Sequence, residues 1–501
     1  MATDGYLLGF DVGSSSIKAS LIESATGRTV GEATSPKTEL PIAAPRPGWA
    51  EQDPATWWDN VVAAARELKA STGTAFESVR AVGISYQMHG LVLLDKAGTV
   101  LRPSIIWCDS RAVGIGEKAF KGIGEKLCLD HLLNSPGNFT ASKLAWVKEN
   151  EPDVYGRAST FMLPGDWVAF RMTGERSTTF SGLSEGILWD FPRGARADMV
   201  LDWYGISKSL VPSPVGSFAV QGQLSAANAS LLGLPAGIPV SYRAGDQPNN
   251  AFSLGVLEPG EAATTAGTSG VVYGVIDAPR FDLASRVNTF VHVTHTPHHP
   301  RYGVLMCVNG TGILYSWLRR LLVGDTGVVP YDELNRVAAG APVGADGLTV
   351  LPYGNGAERT LENRNPGASV IGLDFNRHGM PHLLRAGQEG IVYALNYGLQ
   401  IMKAMGQDTK TIRAGNANMF LSPLFREAFA TVTGTHVELY ETNGAQGAAR
   451  GAGVGAGLYR DPSQAFVGLK PVTTVEPDRG TRDAYAAAYG RWKETLERSM
   501  K

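Results

Sequence analysis

Phe10-Asp11-Val12-Gly13-Ser14-Ser15-Ser16-Ile17-Lys18 is the stretch on which the reading of this chain turns. The apolar run Tyr6-Leu7-Leu8-Gly9-Phe10 drives into an aspartate. A glycine and three serines follow, and Ile17, Ala19 and Leu21 then recur at every second position. This pattern predicts strand, tight turn, strand. The tip would carry hydroxyls and backbone N–H groups with little side-chain bulk, which suits phosphate oxygens. Asp11, at the strand end, offers a hard oxygen to a magnesium ion or its waters. An Asp-x-Gly-Ser string is also an ordinary hairpin turn, so the stretch alone leaves both readings open.

A second stretch repeats the pattern. Ala263-Thr264-Thr265-Ala266-Gly267-Thr268-Ser269-Gly270-Val271-Val272-Tyr273-Gly274 again runs β-prone residues into a small-residue turn and out into an apolar run. Two such hairpins half a chain apart predict two similar lobes that clamp a nucleotide's phosphates from both sides. With 501 residues, each lobe can bury its own core. Net charge is −2, which gives no attraction to nucleic acid or to an anionic membrane. Any phosphate site must therefore come from local geometry.

Cys108, Cys128 and Cys307 are odd in number and widely spaced, which argues against a disulfide framework and a cysteine zinc site. Asp4 leads straight into the first strand, so no signal peptide is expected, and no run has the length of a membrane span. These features predict a cytoplasmic protein. His292, His295, His298 and His299 lie in a Thr/Pro-rich stretch without acidic or cysteine partners and read as a loop.

Along the chain, strands are expected near 6–12, 16–24, 28–35, 79–85, 91–94, 104–107 and 238–242. Asp53-Pro54 reads as an N-cap with proline at the first helical position. Further helices are expected over 140–150, 314–322, 383–405, 444–457 and 482–500. Strands alternating with helices predict α/β lobes with mixed sheets. The boundary falls after Gly245, giving lobes of 1–245 and 246–501.

The paired hairpins resemble the two phosphate elements of the actin, Hsp70 and sugar kinase superfamily. Gly245-Asp246-Gln247, Gln87-Met88-His89-Gly90, Trp107-Cys108-Asp109-Ser110-Arg111, Gly48-Trp49-Ala50-Glu51 and Thr140–Asn150 narrow the likeness to the FGGY carbohydrate kinases, and within them to xylulokinase-like members. Ala368–Gly372 and Arg385–Gly390 loosely match a second signature of that family. The resemblance runs from about residue 6 to about residue 470.

It implies two actin-like, ribonuclease H-like lobes with the active site in the cleft between them. The implied activity is ATP-dependent phosphorylation of a sugar hydroxyl, most simply D-xylulose to D-xylulose 5-phosphate. Asp246 would act as general base, with Gln87, Met88, His89, Asp246 and Gln247 against the sugar. ATP would meet Asp11, Gly13, Ser14, Ser15 and Lys18 in the first hairpin and Gly267, Thr268 and Ser269 in the second. Gly312, Gly415 and Asn418 would serve the adenosine. Magnesium would sit by Asp11 and Asp246. The resemblance also allows a homodimer.

Asp109 with Arg111 reads as a supporting ion pair, and Trp49 with Glu51 as a lid wall. Gly165-Asp166-Trp167 reads equally as a segment near the substrate or as a surface turn. Two departures stand out. Gln247 follows the aspartate where many xylulokinases carry Asn, which keeps ribulose, fuculose, glycerol or a tetritol, and gluconate open as acceptors. Ala414 and Asn416 replace glycines of the adenosine string, commonly Gly-Gly-Gly-Ala. An actin-like nucleotide switch without sugar chemistry is the alternative from another class.

Overall fold

The structure, a computed structural model, describes residues 5–323 and 329–501; Asp4 lies outside them. The opening hairpin forms as the alternation predicts. Strand β1 (Tyr6–Val12) pairs antiparallel with β2 (Ile17–Glu23), and the ladder closes at Val12 against Ile17. β3 (Thr29–Ser35) continues the meander. β4 (Val79–Tyr86) joins β1 in parallel and β5 (Val240–Gly245) joins β4 in parallel, giving the sheet order β5-β4-β1-β2-β3. β4 and β5 are almost wholly buried, as parallel strands covered on both faces must be, although β5 carries Ser241 and Arg243 inside.

The second sheet repeats this plan. β6 (Glu261–Ala266) and β7 (Gly270–Ile276) form its hairpin. β8 (Asn288–Val291) and β9 (Tyr302–Val308) follow, then β10 (Thr411–Gly415), β11 (His436–Tyr440) and β12 (Thr473–Val475). The order is β8-β9-β7-β6-β10-β11-β12. Its inner five strands, β11-β10-β6-β7-β9, match β5-β4-β1-β2-β3 in order and direction, with β8 and β12 added at the edges. The hairpin seen twice in the sequence thus heads two copies of one topology.

Helix α1 (Pro54–Thr72) starts as expected: the Asp53 side chain accepts the Ala55 N–H, and Trp57, Trp58, Val61, Val62 and Leu68 form its buried face. α2 (Thr140–Asn150) and α3 (Pro164–Thr173) complete the first half's longer helices near the site. Gly165, Asp166 and Trp167 are buried in the first turn of α3, which corrects the surface-turn alternative. α4 (Asp246–Ser253), α5 (Gly312–Val323), α6 (Met380–Ala404), α7 (Gly444–Gly455) and α8 (Arg482–Ser499) follow.

α7 lies in the second half of the chain but packs on β1, β2, β4 and β5 of the first sheet. α4 directly follows the first sheet's last strand and packs on β6 and β7 of the second. The two helices touch one another, so the halves are cross-laced. Their approach is close because glycines face the helix. A Cβ on Gly9 would fall 1.9 Å from the Ala445 carbonyl oxygen, and one on Gly83 would fall 2.0 Å from that of Ala448. That explains the glycine and alanine content of α7.

Two strands differ from expectation. The one placed near 238–242 runs Val240–Gly245 and so reaches the residue before Asp246. The one placed over 104–107 stops at Ile105, because the Asp109 N–H turns back to the Ile106 carbonyl and Trp107 lies in that turn. The histidine stretch is a loop, with His292 buried and 3.1 Å from the Tyr273 hydroxyl. Among the described residues no three His, Cys, Asp or Glu side chains gather to hold a metal, and no helix is long and apolar enough to cross a membrane.

Candidate active site

Three adjacent strands end together and deliver the site's carboxylates. Asp11 on β1 pairs in register with Ser85 on β4, and Ser85 with Ala244 on β5. Two strand spacings therefore separate the ends of β1 and β5, about 10 Å of backbone. Side chains from both can meet in that span. Asp11 Oδ1 accepts the Ser85 hydroxyl at 2.8 Å. A Cβ on Gly444 would lie 2.6 Å from Asp11 Oδ2, so this carboxylate faces the first residue of α7 and a side chain there would have to push it aside. The positive end of a helix favours a carboxylate at this place. Lys18, exposed, stands directly across the ladder from Asp11.

Asp246 is the first residue of α4, one step past the end of β5, and stays partly exposed. Burial and then the neighbouring Asp11 push its carboxyl up to about 7, while N–H groups of Gln247 pull the other way. Desolvation and a like charge both disfavour the anion. A carboxyl that titrates near neutrality can take up a proton from a hydroxyl and release it again.

The first hairpin tip is tied down. Gly13 N–H bonds Ser16 O, the Ser15 carbonyl accepts the Leu40 N–H at 2.7 Å, and the Ser14 carbonyl accepts Gln52 Nε2 at 2.7 Å. Trp107, 48% exposed, donates its indole N–H to the Ser14 hydroxyl at 3.3 Å. The turn after β4 lies alongside, with Gln87 N–H on the Val12 carbonyl. Gln87 and Met88 are buried. The Gln87 Oε1 atom has no protein partner, whereas its Nε2 donates to Gln52 Oε1.

His89 is partly exposed and holds a left-handed φ of 61°. Its Nδ1 sits 3.0 Å from the Glu185 carbonyl, its ring meets Phe139 edge-on, and Lys143 Nζ donates to its own carbonyl at 2.9 Å. Burial, helped by Lys143, lowers the imidazole to about 3, so it is neutral at pH 7. A neutral ring bonded to a carbonyl through Nδ1 carries the proton on that nitrogen and keeps Nε2 as an acceptor.

A separate cluster forms at the ends of β6 and β10. The Gly267 carbonyl accepts the Gly312 N–H and the Thr311 hydroxyl, each at 2.7 Å, and the Thr268 carbonyl accepts the same hydroxyl at 3.2 Å. Asn418, exposed and left-handed at φ 55°, lies beside Gly267: a Cβ there would come 3.5 Å from its Nδ2. The structure thus brings Gly267, Thr268, Gly312 and Asn418 together, with Ser269 in the same tip and Gly415 at the end of β10. The departures from glycine are absorbed locally. Ala414 is buried in the sheet, and Asn416 turns its amide to Glu441 Oε1 at 2.7 Å.

Asp109 and Arg111 form a buried pair at 2.7 Å. Arg111 continues to Glu51 at 2.7 Å and lies 3.7 Å over the Trp49 ring, while Arg102 bonds the same Glu51. Trp49 and Glu51 therefore brace the wall from within, Trp49 through its ring face and Glu51 through its carboxylate.

Four residues near the site carry no legible sign in the sequence: Ser85, Gln52, Arg243 and Glu185. Arg243 pairs with Asp166 at 2.9 Å in full burial. Glu185 is buried with neither carboxyl oxygen hydrogen-bonded, and a Cβ on Gly245 would lie 2.5 Å from its Oε2. Burial, then Asp166 and Asp246, push its carboxyl well above the usual range.

Residues 6–253 match the N-terminal domain of the FGGY family of carbohydrate kinases, and residues 262–457 match its C-terminal domain. The chain is 31% identical over 497 residues to the xylulose kinase of Escherichia coli (strain K12), covering 98% of each. It is 30% identical over 513 residues to the L-xylulose/3-keto-L-gulonate kinase of the same organism, covering 98% of this chain and 96% of that one. The crystal structure of xylulose kinase from Rhodospirillum rubrum superimposes with a TM-score of 0.88 at 28% identity, covering 98% of each chain.

Proposed function

Since the chain belongs to the FGGY family of carbohydrate kinases and is a sugar kinase, we propose that it transfers the terminal phosphoryl group of ATP to a hydroxyl of D-xylulose, giving D-xylulose 5-phosphate, with Asp246 as general base. The observation that carries this reading is the placement of Asp246. It stands at a strand end, partly exposed, beside Asp11, with a carboxyl poised near neutrality. The acceptor lies against the 87–89 turn, where Gln87 Oε1 and His89 Nε2 take hydrogen bonds from sugar hydroxyls. Met88 and Gln247 complete its surroundings. The relatives that act on xylulose support the choice of sugar.

Asp11, Gly13, Ser14, Ser15 and Lys18 take the phosphates from one side and Gly267, Thr268 and Ser269 from the other. Gly312, Gly415 and Asn418 receive the adenosine. The Asp11–Asp246 pair fits magnesium, which binds through one or two carboxylates and otherwise through water and phosphate oxygens. Such an ion neutralises charge on the terminal phosphates when bound. Positioning and electrostatics then supply most of the rate. On this reading the lobe boundary falls after residue 245, and use of ATP as co-substrate supports a cytoplasmic location.

The test is a coupled ADP assay with D-xylulose, L-xylulose, ribulose, fuculose, glycerol, gluconate and 3-keto-L-gulonate, on the wild type and on Asp246→Asn. Fast turnover of D-xylulose, abolished in Asp246→Asn with ATP binding kept, is the expected result. Wild-type activity in that variant refutes the base assignment. Preference for another acceptor refutes the sugar.

A further inference from the structure

Gln52 lies in the short strand after Trp49, is 3% exposed, and makes four hydrogen bonds. Its Oε1 accepts Trp57 Nε1 at 3.1 Å and Gln87 Nε2 at 3.3 Å. Its Nε2 donates to the Ser14 carbonyl at 2.7 Å and the Pro41 carbonyl at 3.3 Å. The amide orientation follows from chemistry. An indole N–H can only donate, so the atom facing Trp57 is oxygen; a peptide carbonyl can only accept, so the atom facing Ser14 is nitrogen. With Gln52 fixed, Gln87 is fixed too. It must spend its NH₂ on Gln52, which leaves Oε1 buried and without a protein partner as the amide's free acceptor.

We infer that Gln52 is a positioning residue that locks the Gln87 amide as a hydrogen-bond acceptor for the sugar and ties this recognition turn to the first phosphate hairpin through the Ser14 carbonyl. The inference rests on the sugar-kinase reading above and adds the route by which acceptor and nucleotide sense each other. A hydroxyl that pulls on Gln87 Oε1 pulls on Gln52, and through it on the backbone that cradles phosphate. Trp107, which follows the short strand paired with Glu51 and Gln52, donates to the Ser14 hydroxyl and restrains the same tip.

Coupling between two ligands is reciprocal and spans about 5–150-fold in typical cases. The full-length protein is titrated with a non-hydrolysable ATP analogue and Mg²⁺, with and without saturating D-xylulose. The same is done for Gln52→Glu, which keeps the oxygen facing Trp57 and Gln87 but removes the amide donor to Ser14. Gln87→Met breaks the link from its other end and serves if Gln52→Glu does not fold. The expected wild-type result is at least a fivefold change in analogue affinity on adding sugar, falling to within twofold of unity in either variant. Acceptor-independent ATP hydrolysis relative to sugar phosphorylation should rise about tenfold in the variants. A merely structural role would lower the unfolding midpoint and leave the coupling intact. Sugar binding without coupling in the wild type, or wild-type coupling in the variants, overturns this inference alone. Failure of every sugar in the panel to bind overturns the functional reading beneath it.

Discussion

Ser85 gives its hydroxyl proton to Asp11 from the neighbouring parallel strand, at 2.8 Å and exactly level in the ladder's register. The carboxylate that faces Gly444 at the start of α7 is thereby aimed by a residue 74 positions away in the chain. Ser85→Ala should free Asp11 to rotate. A hydrogen bond to a charged group contributes about 1.5–3 kcal/mol. The expected loss is roughly tenfold or more in kcat/KM, with a higher Mg²⁺ half-saturation and little change in unfolding midpoint. Mg²⁺ titrations of initial rate on both proteins check it.

The pH profile follows from Asp246. A base must be deprotonated to act, so kcat/KM should rise with pH up to an inflection near 7 and then level off. Asp11→Asn removes a neighbouring negative charge, and the inflection should move to lower pH even though the rate falls. An inflection that stays in place in that variant argues against Asp246 as the titrating group.

The same carboxyl makes a stability claim. Its folded value lies above the ordinary 3.8, so between about 4 and 7 the folded state binds more protons than the unfolded chain, and stability falls as pH rises through that window. Asp246→Asn should therefore unfold at higher temperature than the wild type at pH 8, with the gain fading toward pH 4. Calorimetry at the two pH values measures it.

Asp166 and Arg243 are both fully buried and 2.9 Å apart. Arg243→Met strands an acid in the interior, which typically costs about 3–5 kcal/mol. The double variant Asp166→Asn with Arg243→Met should recover most of that loss in urea unfolding. Additive losses would show that the two groups do not act as a pair.

His89 carries a left-handed backbone that a non-glycine residue adopts at a cost of about 1–2 kcal/mol. His89→Gly relieves this strain while deleting the ring contacts. The unfolding midpoint should move by only a few degrees, while the KM for the sugar rises roughly tenfold or more and the KM for ATP stays near wild type. Steady-state kinetics in both substrates separates these effects.

The hairpins were legible because alternation, glycine and serine are local signals, and Asp246 because it follows a strand and a glycine in a Gly-Asp-Gln string that resembles the family's motif. Gln52, Ser85, Arg243 and Glu185 were not, because each acquires its meaning from a partner brought alongside by the sheet or by a distant helix. Gln52 illustrates the limit: its neighbours in sequence say loop, and its partners at 14, 57 and 87 exist only once β1, α1 and β4 are stacked. The strand over 104–107 was read too long because Ile105-Ile106-Trp107 has high β-propensity, while a backbone turn at Asp109 takes Trp107 out toward solvent.

The exchange of α4 and α7 between the two sheets has a price for the folding chain. Leu7, Ile22, Ala81 and Tyr242 on the first sheet are covered by Ala448, Ala449 and Ala452, which emerge more than four hundred residues after β1. A nascent or proteolysed product ending before residue 444 would display that greasy face to solvent and stick to its neighbours. Neither half is therefore a self-sufficient module, and two separately expressed fragments should regain solubility only when mixed.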